Sequence, residues 1–300
     1  MTASSILPPK PRPARGSVTG ARQLTALSAP GLLWLASLYL VPLGLIVAIS
    51  FGTSDAVGRP IYGWNPSNYT RVLDPTLLPV LGRTLGFAVI CTGISLVLGY
   101  VVALAIAQHG GRFKTALLLA VMLPFFVDYL VRILAMVQVF RDGGVFTQVL
   151  APLGLAGEDS LGLLGTPLMV ILGLVYNYLP LMILATYVAI EQVDARIVEA
   201  GRDLYCSRGQ AVWRIVIPMT APGIAAGCLL VFLATVADFA TAQFLGNPGT
   251  FMLGNLIYNQ FNGAAEVPLG AGLTVVMVLI LAVSTLAFSL WSRRHARHST

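Results

Sequence analysis

The sequence predicts an all-α integral membrane protein with six transmembrane helices. Of its 300 residues, 57% are hydrophobic and only 10% are charged, whereas a soluble domain carries about 25% charged residues. Six apolar runs reach the length of about 20 residues that crosses a hydrocarbon core of about 30 Å. The predicted spans lie near 30–51, 84–107, 116–140, 167–190, 220–244 and 269–291.

The basic residues are distributed unevenly between the loops, and this bias predicts the orientation. With the N-terminus inside, thirteen of the 18 Lys and Arg residues fall in cytoplasmic segments, four fall in outer loops and Arg132 falls within a span. The excess follows the positive-inside rule, so both termini are predicted to be cytoplasmic. The net charge of +6 is therefore explained by membrane orientation and lipid headgroups, and nucleic-acid binding is not expected.

The predicted organisation is one membrane domain with two cytoplasmic tails. A proline-rich tail, expected to be flexible, occupies 1–28, the six-helix domain occupies 29–292, and a basic tail occupies 293–300. The first span is longer than a signal-peptide core, and we interpret it as uncleaved. The chain has neither a hydrolytic motif nor a cysteine and histidine spacing typical of a metal site, so neither catalytic nor metal-ligand residues are expected.

The longest cytoplasmic loop, 191–219, lies between the fourth and fifth spans and has the pattern of two short helices. Asp194 is placed to cap the first helix, whose apolar residues form one narrow face. Ser207 and Gln210 form a capping box for the second helix, which is expected to end or bend at Pro218. The pattern alone leaves two roles open, a helix pair lying on lipid headgroups and a docking site for a cytoplasmic partner.

A resemblance decides between these two roles. The stretch EAGRDLYCSRGQAVWRIVIP resembles the E-A-A-x3-G-x9-I-x-L-P loop of the permease subunits of bacterial ABC importers. Three further stretches resemble the first permease of spermidine/putrescine importers: LPFFVDYLVRILAM, VYNYLPLMILATYVAIEQVDA and GCLLVFLATVADFATAQFLGNPGTFMLGNLIYNQF. Together the resemblance covers roughly 30–292. The loop-motif positions that it assigns to ATPase coupling are Glu199, Ala200, Gly201, Tyr205, Ile215 and Pro218.

Three residues of the loop depart from the motif. Gly201 replaces alanine and Ile217 replaces leucine, and both changes keep a small or apolar side chain. Tyr205 stands where the motif has glycine. Either the turn is reached through another residue, or Tyr205 is a contact for the ATPase.

The resemblance implies a type I ABC importer permease fold in the bacterial inner membrane. It also implies a second related permease, two cytoplasmic ATPase subunits that bind ATP and Mg, and a periplasmic binding protein that delivers the solute. No cofactor is expected in this chain, and the expected substrate is a polyamine or a related cationic or amino compound. Two other functions stay open from the residues alone: an ion-coupled carrier that works by itself, and a membrane scaffold whose loop only recruits a partner.

Three ionisable residues fall within the predicted spans, where an unpaired charge costs at least about 2.5–3.5 kcal/mol. Asp128 and Arg132 are four residues apart, so they can pair along one helix. Straight helices would also place Arg132 and Asp238 at similar depth. We therefore expect Arg132 and Asp238 to meet across helices, either as a substrate-sensing gate or as a permanent structural ion pair. Nearby polar and aromatic residues complete the candidate pathway: Tyr129, Tyr176 and Asn177.

Overall fold

The computed structural model describes residues 18–296 apart from 56–57, 73, 76, 151–161, 204–206 and 264–265. Nearly all of the regular structure in these residues is helical. The helices are α1 (Val18–Ser50), α2 (Ser67–Val72), α3 (Leu78–His109), α4 (Lys114–Met122), α5 (Tyr129–Phe140), α6 (Val145–Leu150), α7 (Pro167–Glu191), α8 (Ala195–Asp203), α9 (Arg208–Ala211), α10 (Ile217–Val236), α11 (Ala240–Leu245), α12 (Leu253–Asn262) and α13 (Val267–Ala296). Strands β1 (Thr53–Ser54) and β2 (Pro60–Ile61) form one antiparallel hairpin.

The predicted helical membrane class is confirmed. In the described part of the chain, five helices are long and apolar enough to cross a membrane, and a bent pair provides a sixth crossing if it is counted as one span. The first helix begins at Val18, inside the segment that the sequence predicts to be a flexible tail. Residues up to Val47 form one unit, and residues from Ala48 onward form a second.

The third predicted span is not one straight helix, which corrects the expectation for 116–140. After α4, a 3₁₀ turn at Leu123–Phe126 leads into an 87° change of direction before α5 begins. Pro124 supplies no N–H, and Val127 is extended, with φ −79° and ψ 137°. The ladder of helical hydrogen bonds therefore stops here and must be started again.

The fifth predicted span is displaced along the chain, which corrects the expectation for 220–244. The helix α10 ends at Val236, and residues 237–239 are not helical before α11 begins. At its other end, α9 continues through a π-helical turn at Val212–Val216 directly into α10. The helix does not end at Pro218, which was one of the two expected outcomes. A wider π turn comes just before the proline, where a missing N–H and a ring are more easily accommodated.

The helix α7 lies at the centre of the unit that begins at Ala48, and it packs against both α3 and α10. The approach of α10 depends on glycine. A Cβ atom on Gly223 would lie 2.4 Å from Ala189 Cβ, and one on Gly227 would lie 2.9 Å from Ala185 Cβ. Small residues on facing helices let the two backbones come close together, which is a common source of helix packing in membranes.

We expect Gly223→Ala to lower the free energy of unfolding by about 1–3 kcal/mol, because the added methyl group overlaps a side chain that cannot move aside. The matched control is Gly93→Ala on α3, where an added Cβ meets nothing within 4 Å. Thermal unfolding in detergent compares the two variants. Equal melting temperatures would contradict the close approach of α7 and α10.

Candidate functional site

A buried carboxylate lies where the fifth predicted span is interrupted. Asp238 is only 4% exposed, and its Oδ1 accepts a hydrogen bond from the backbone N–H of Thr241 at 3.0 Å. Its Oδ2 accepts from the hydroxyl groups of Tyr129, Thr241 and Tyr178 at 2.5, 2.7 and 3.0 Å. Tyr129 is the first residue of α5 and Tyr178 lies in the middle of α7. One side chain therefore joins α5, α7 and the start of α11.

The interrupted backbone around Asp238 is satisfied by local and tertiary hydrogen bonds. The bond from Thr241 caps the first turn of α11. From the other side, the amide of Asn255 donates to the Phe239 carbonyl at 2.7 Å. A Cβ atom on Gly254 would lie 2.9 Å from the Asp238 carbonyl oxygen, so α12 closes tightly over the break. Irregular backbone at membrane depth needs such partners because lipid provides none.

Asp128 is the N-cap of α5 and is not the ion-pair partner of Arg132. Its Oδ1 accepts from the backbone N–H groups of Leu130 at 2.9 Å and Val131 at 3.3 Å. The expected pair along one helix is absent because the helix begins only after Asp128. The carboxylate consequently faces the first turn of the backbone, and a spacing of four residues no longer places the two side chains on one helix face.

Arg132 does not pair with Asp238 either, which corrects the second expectation for this arginine. It is 7% exposed, and its Nε and Nη1 atoms are buried without an acceptor among the described residues. The guanidinium carbon lies 5.3 Å from the ring centre of Phe125 and 5.8 Å from that of Tyr129. The 87° bend invalidates the depth estimated for a straight helix. Tyr129 contacts both charged residues, with its ring against Arg132 and its hydroxyl on Asp238.

The other candidate pathway residues lie apart from this cluster. Tyr176 is 43% exposed, and Asn177 is 1% exposed with neither amide atom hydrogen-bonded within the described residues. Successive helical residues point about 100° apart, so Tyr178 reaches Asp238 while its two predecessors face elsewhere. Thr241 is a site residue that the sequence reading missed. Its position three residues after Asp238 is the spacing at which a carboxylate accepts a backbone N–H, and this spacing could have indicated it.

The long loop contains the two helices that its capping signals predict. Asp194 Oδ1 accepts from the Arg196 N–H at 2.9 Å at the start of α8. Ser207 and Gln210 bond reciprocally, with Ser207 N–H donating to Gln210 Oε1 at 3.0 Å and Gln210 N–H donating to Ser207 Oγ at 3.3 Å. Both capping predictions are confirmed.

Two motif residues of the loop meet each other at very short range. A Cβ atom on Gly201 would lie 2.2 Å from Ile215 Cδ1, so the α8 backbone rests directly on the π turn. The space left for residue 201 explains why this position needs a small side chain. Tyr205, the position where the motif has glycine, lies outside the described residues.

The rest of the loop presents an exposed surface. Glu199 and Ala200 are exposed, and Glu199 lines a groove of about 620 Å³ beside the ends of α3 and α7. An ion pair of 3.1 Å between Lys114 and Glu191 ties α4 to α7 at this groove. Trp213 is 74% exposed, and its large aromatic side chain in a loop of charged residues was a signal that the sequence reading passed over.

Comparison with known proteins places the chain among transport components. Residues 95–299 match the family described as "Binding-protein-dependent transport system inner membrane component". The chain is 36% identical over 265 residues to the spermidine/putrescine transport system permease protein PotB of Haemophilus influenzae, covering 87% of this chain and 92% of that protein. It is 34% identical over 255 residues to the protein of the same name in Escherichia coli strain K12, covering 85% and 92%.

A solved structure shares the fold at low sequence identity. The bacterial alginate ABC transporter, in complex with its alginate pentasaccharide-bound periplasmic protein, aligns with a TM-score of 0.76 at 16% identity. The alignment covers 94% of this chain and 98% of the matched chain. The shared fold therefore extends over most of both chains.

Asp128→Ala is expected to lower the free energy of unfolding by about 0.5–2 kcal/mol, because α5 loses the acceptor for two backbone N–H groups. Asp128→Asn keeps an acceptor oxygen and serves as the matched control. Melting temperatures of the purified variants in detergent measure the difference. If the alanine and asparagine variants melt together, Asp128 does not act as a cap.

Proposed function

Since the chain belongs to the family of binding-protein-dependent transport system inner membrane components, as its loop motif predicts, we propose that it forms half of the translocation pathway of a polyamine importer. It is a multi-pass protein of the bacterial inner membrane and a permease of the ABC importer type. The proposed class of substrate is supported by the 36% sequence identity to a spermidine/putrescine permease across most of both chains. Putrescine, spermidine or a related small cationic or amino compound is the proposed solute.

The proposed topology has six crossings and both termini in the cytoplasm. The bent pair of α4 and α5 counts as one crossing in this arrangement. The support is electrostatic, since thirteen of the 18 basic residues then lie on the cytoplasmic side. The loop that carries α8 and α9 is cytoplasmic on the same grounds.

The proposed assembly contains a second related permease, two ATPase subunits and a periplasmic binding protein. The family description itself names dependence on a binding protein, and the structurally similar alginate transporter was solved with a periplasmic protein. ATP and Mg are bound by the ATPase subunits, and this chain needs no cofactor of its own. The hydrolysis step accordingly takes place outside the membrane domain.

The geometry of the loop suits mechanical coupling to an ATPase. Helix-in-groove docking of α8 would place Glu199 and Ala200, both exposed, against the partner. Gly201 then rests on Ile215, and Ile215 belongs to the π turn that continues into α10. A displacement of α8 is thereby passed to a transmembrane helix through one close contact and an unbroken backbone.

Deleting this chain from its host is expected to abolish ATP-dependent uptake of radiolabelled putrescine or spermidine, and the wild-type chain is expected to restore it. Uptake should persist when a protonophore collapses the ion gradient, as long as cellular ATP is maintained. Unchanged uptake of both polyamines in the deletion strain would overturn the proposed substrate. Loss of uptake on collapse of the gradient alone would favour an ion-coupled carrier, and absence of any transport phenotype would favour a scaffold.

Gly201→Leu is expected to uncouple the transporter, because an added Cβ alone would come within 2.2 Å of Ile215. The leucine side chain must push α8 away from the π turn, so polyamine uptake and co-purification of the ATPase should both fall. Gly201→Ala is the matched control, since only the flexible end of Ile215 has to rotate. Wild-type uptake by the leucine variant, at a normal level in the membrane, would show that the contact does not transmit force.

A further inference from the structure

Among the residues that the structure describes, no basic side chain forms an ion pair with the carboxylate of Asp238. Its four hydrogen-bond contacts are all with neutral donors, three hydroxyl groups and one backbone N–H. The ion pairs within the described residues join Arg71 to Glu266 and Lys114 to Glu191. A carboxylate in surroundings of low dielectric constant attracts a cation far more strongly than the same group does in water.

A second observation points to the same place. Arg132 is only 7% exposed, and two of its guanidinium nitrogens have no acceptor among the described residues. The ring of Tyr129 faces the arginine and its hydroxyl group donates to Asp238, so the two charged residues share one neighbour. Burial of two separated charges is costly, and a direct ion pair would have been the cheaper arrangement.

The backbone is also irregular around Asp238. The chain is non-helical at 237–239, and α5 begins directly after the bend that ends at Asp128. Non-helical backbone at membrane depth occurs where it is buried in protein or lines a water-filled path. In transporters, interrupted helices of this kind commonly form the solute site.

We propose that Asp238 binds a terminal ammonium group of the transported cation, and that Tyr129 and Tyr178 hold the carboxylate while the site is empty. This inference rests on the proposed function. A primary ammonium group carries three N–H donors, so it can replace the phenolic hydroxyl groups at Oδ2 and donate a second bond to the Thr241 hydroxyl oxygen. The displaced phenol rings still offer their faces to the positive charge. Arg132, held against the ring of Tyr129, supplies a positive charge near the empty site.

The informative variants separate the charge of Asp238 from its hydrogen bonds. Asp238→Asn keeps the size and an acceptor oxygen but removes the charge. The double variant Tyr129→Phe with Tyr178→Phe removes the phenolic donors and leaves the charge and the rings. Asp128→Asn is the matched control, since it neutralises the neighbouring carboxylate without removing the cap acceptor.

The variants are compared in the deletion strain, as the maximal rate of uptake of radiolabelled putrescine and spermidine at equal amounts in the membrane. We expect Asp238→Asn to lower this rate about tenfold or more, the loss that follows removal of a hydrogen bond to a charged group. Asp128→Asn is expected to retain most of the rate, and the double phenylalanine variant is expected to lose less of it than Asp238→Asn does, because it keeps the charge that binds the ammonium group. Melting temperatures of the purified variants show whether each has kept its fold.

Each outcome decides the proposal. Normal uptake by Asp238→Asn would overturn the ammonium site and leave polyamine import standing, whereas a wild-type chain that restores uptake of neither polyamine would overturn both. Parallel losses in Asp238→Asn and the double phenylalanine variant, with lowered melting temperatures, would make the cluster a structural hub and overturn the proposal. If Asp238→Asn does not reach the membrane, the double variant decides alone: uptake that is lowered but still measurable at an unchanged melting temperature supports the ammonium site, and complete loss of uptake overturns it.

Discussion

The hydrogen bonds to one buried carboxylate constrain the irregular half of this membrane domain. Asp238 accepts a backbone N–H in the first turn of α11, and it is hydrogen-bonded to the first residue of α5, Tyr129, and to Tyr178 in the central helix α7. A bilayer supplies no hydrogen bonds, so a chain that bends and stops within it must satisfy the resulting gaps from its own side chains. The bend before α5 and the break after α10 can coexist because one acidic side chain lies between them.

The helix α10 connects this cluster to the loop 191–219. Its lower end is continuous with the π turn that contacts α8 through Ile215, and its upper end leads into the segment that holds Asp238. A helix of 20 residues is about 30 Å long, which matches the thickness of the hydrocarbon core. Glycine-mediated packing of α10 on α7 keeps the two helices in close register. In the proposed topology, a push on the loop would be carried along α10 to the break.

Tyr129 contacts two residues of opposite charge, Arg132 and Asp238, which do not form an ion pair with each other. Its ring faces the guanidinium of Arg132 and its hydroxyl donates to Asp238. The aromatic face replaces part of the hydration that the buried guanidinium loses. The phenolic hydroxyl group replaces one of the hydrogen bonds to water that the buried carboxylate loses. Burying the two charges apart costs more free energy than burying them as an ion pair would. It leaves the carboxylate hydrogen-bonded only to neutral groups, which the donor of a bound ligand can replace.

The sequence by itself determined the class of fold, the approximate position of most crossings and the start of both loop helices. These features are local: a span needs about 20 apolar residues in a row, and Asp194, Ser207 and Gln210 cap backbone groups only two or three positions away. The bend at Pro124 and the early end of α10 were missed because the same apolar residues suit a straight helix and a bent one equally well. Only the tertiary structure decided the partners of Asp238, since its two tyrosine donors lie 109 and 60 residues away along the chain. Which of several buried polar groups meet is set by the packing of α5, α7 and α11 in three dimensions, and residue spacing carries no information on a contact of that kind.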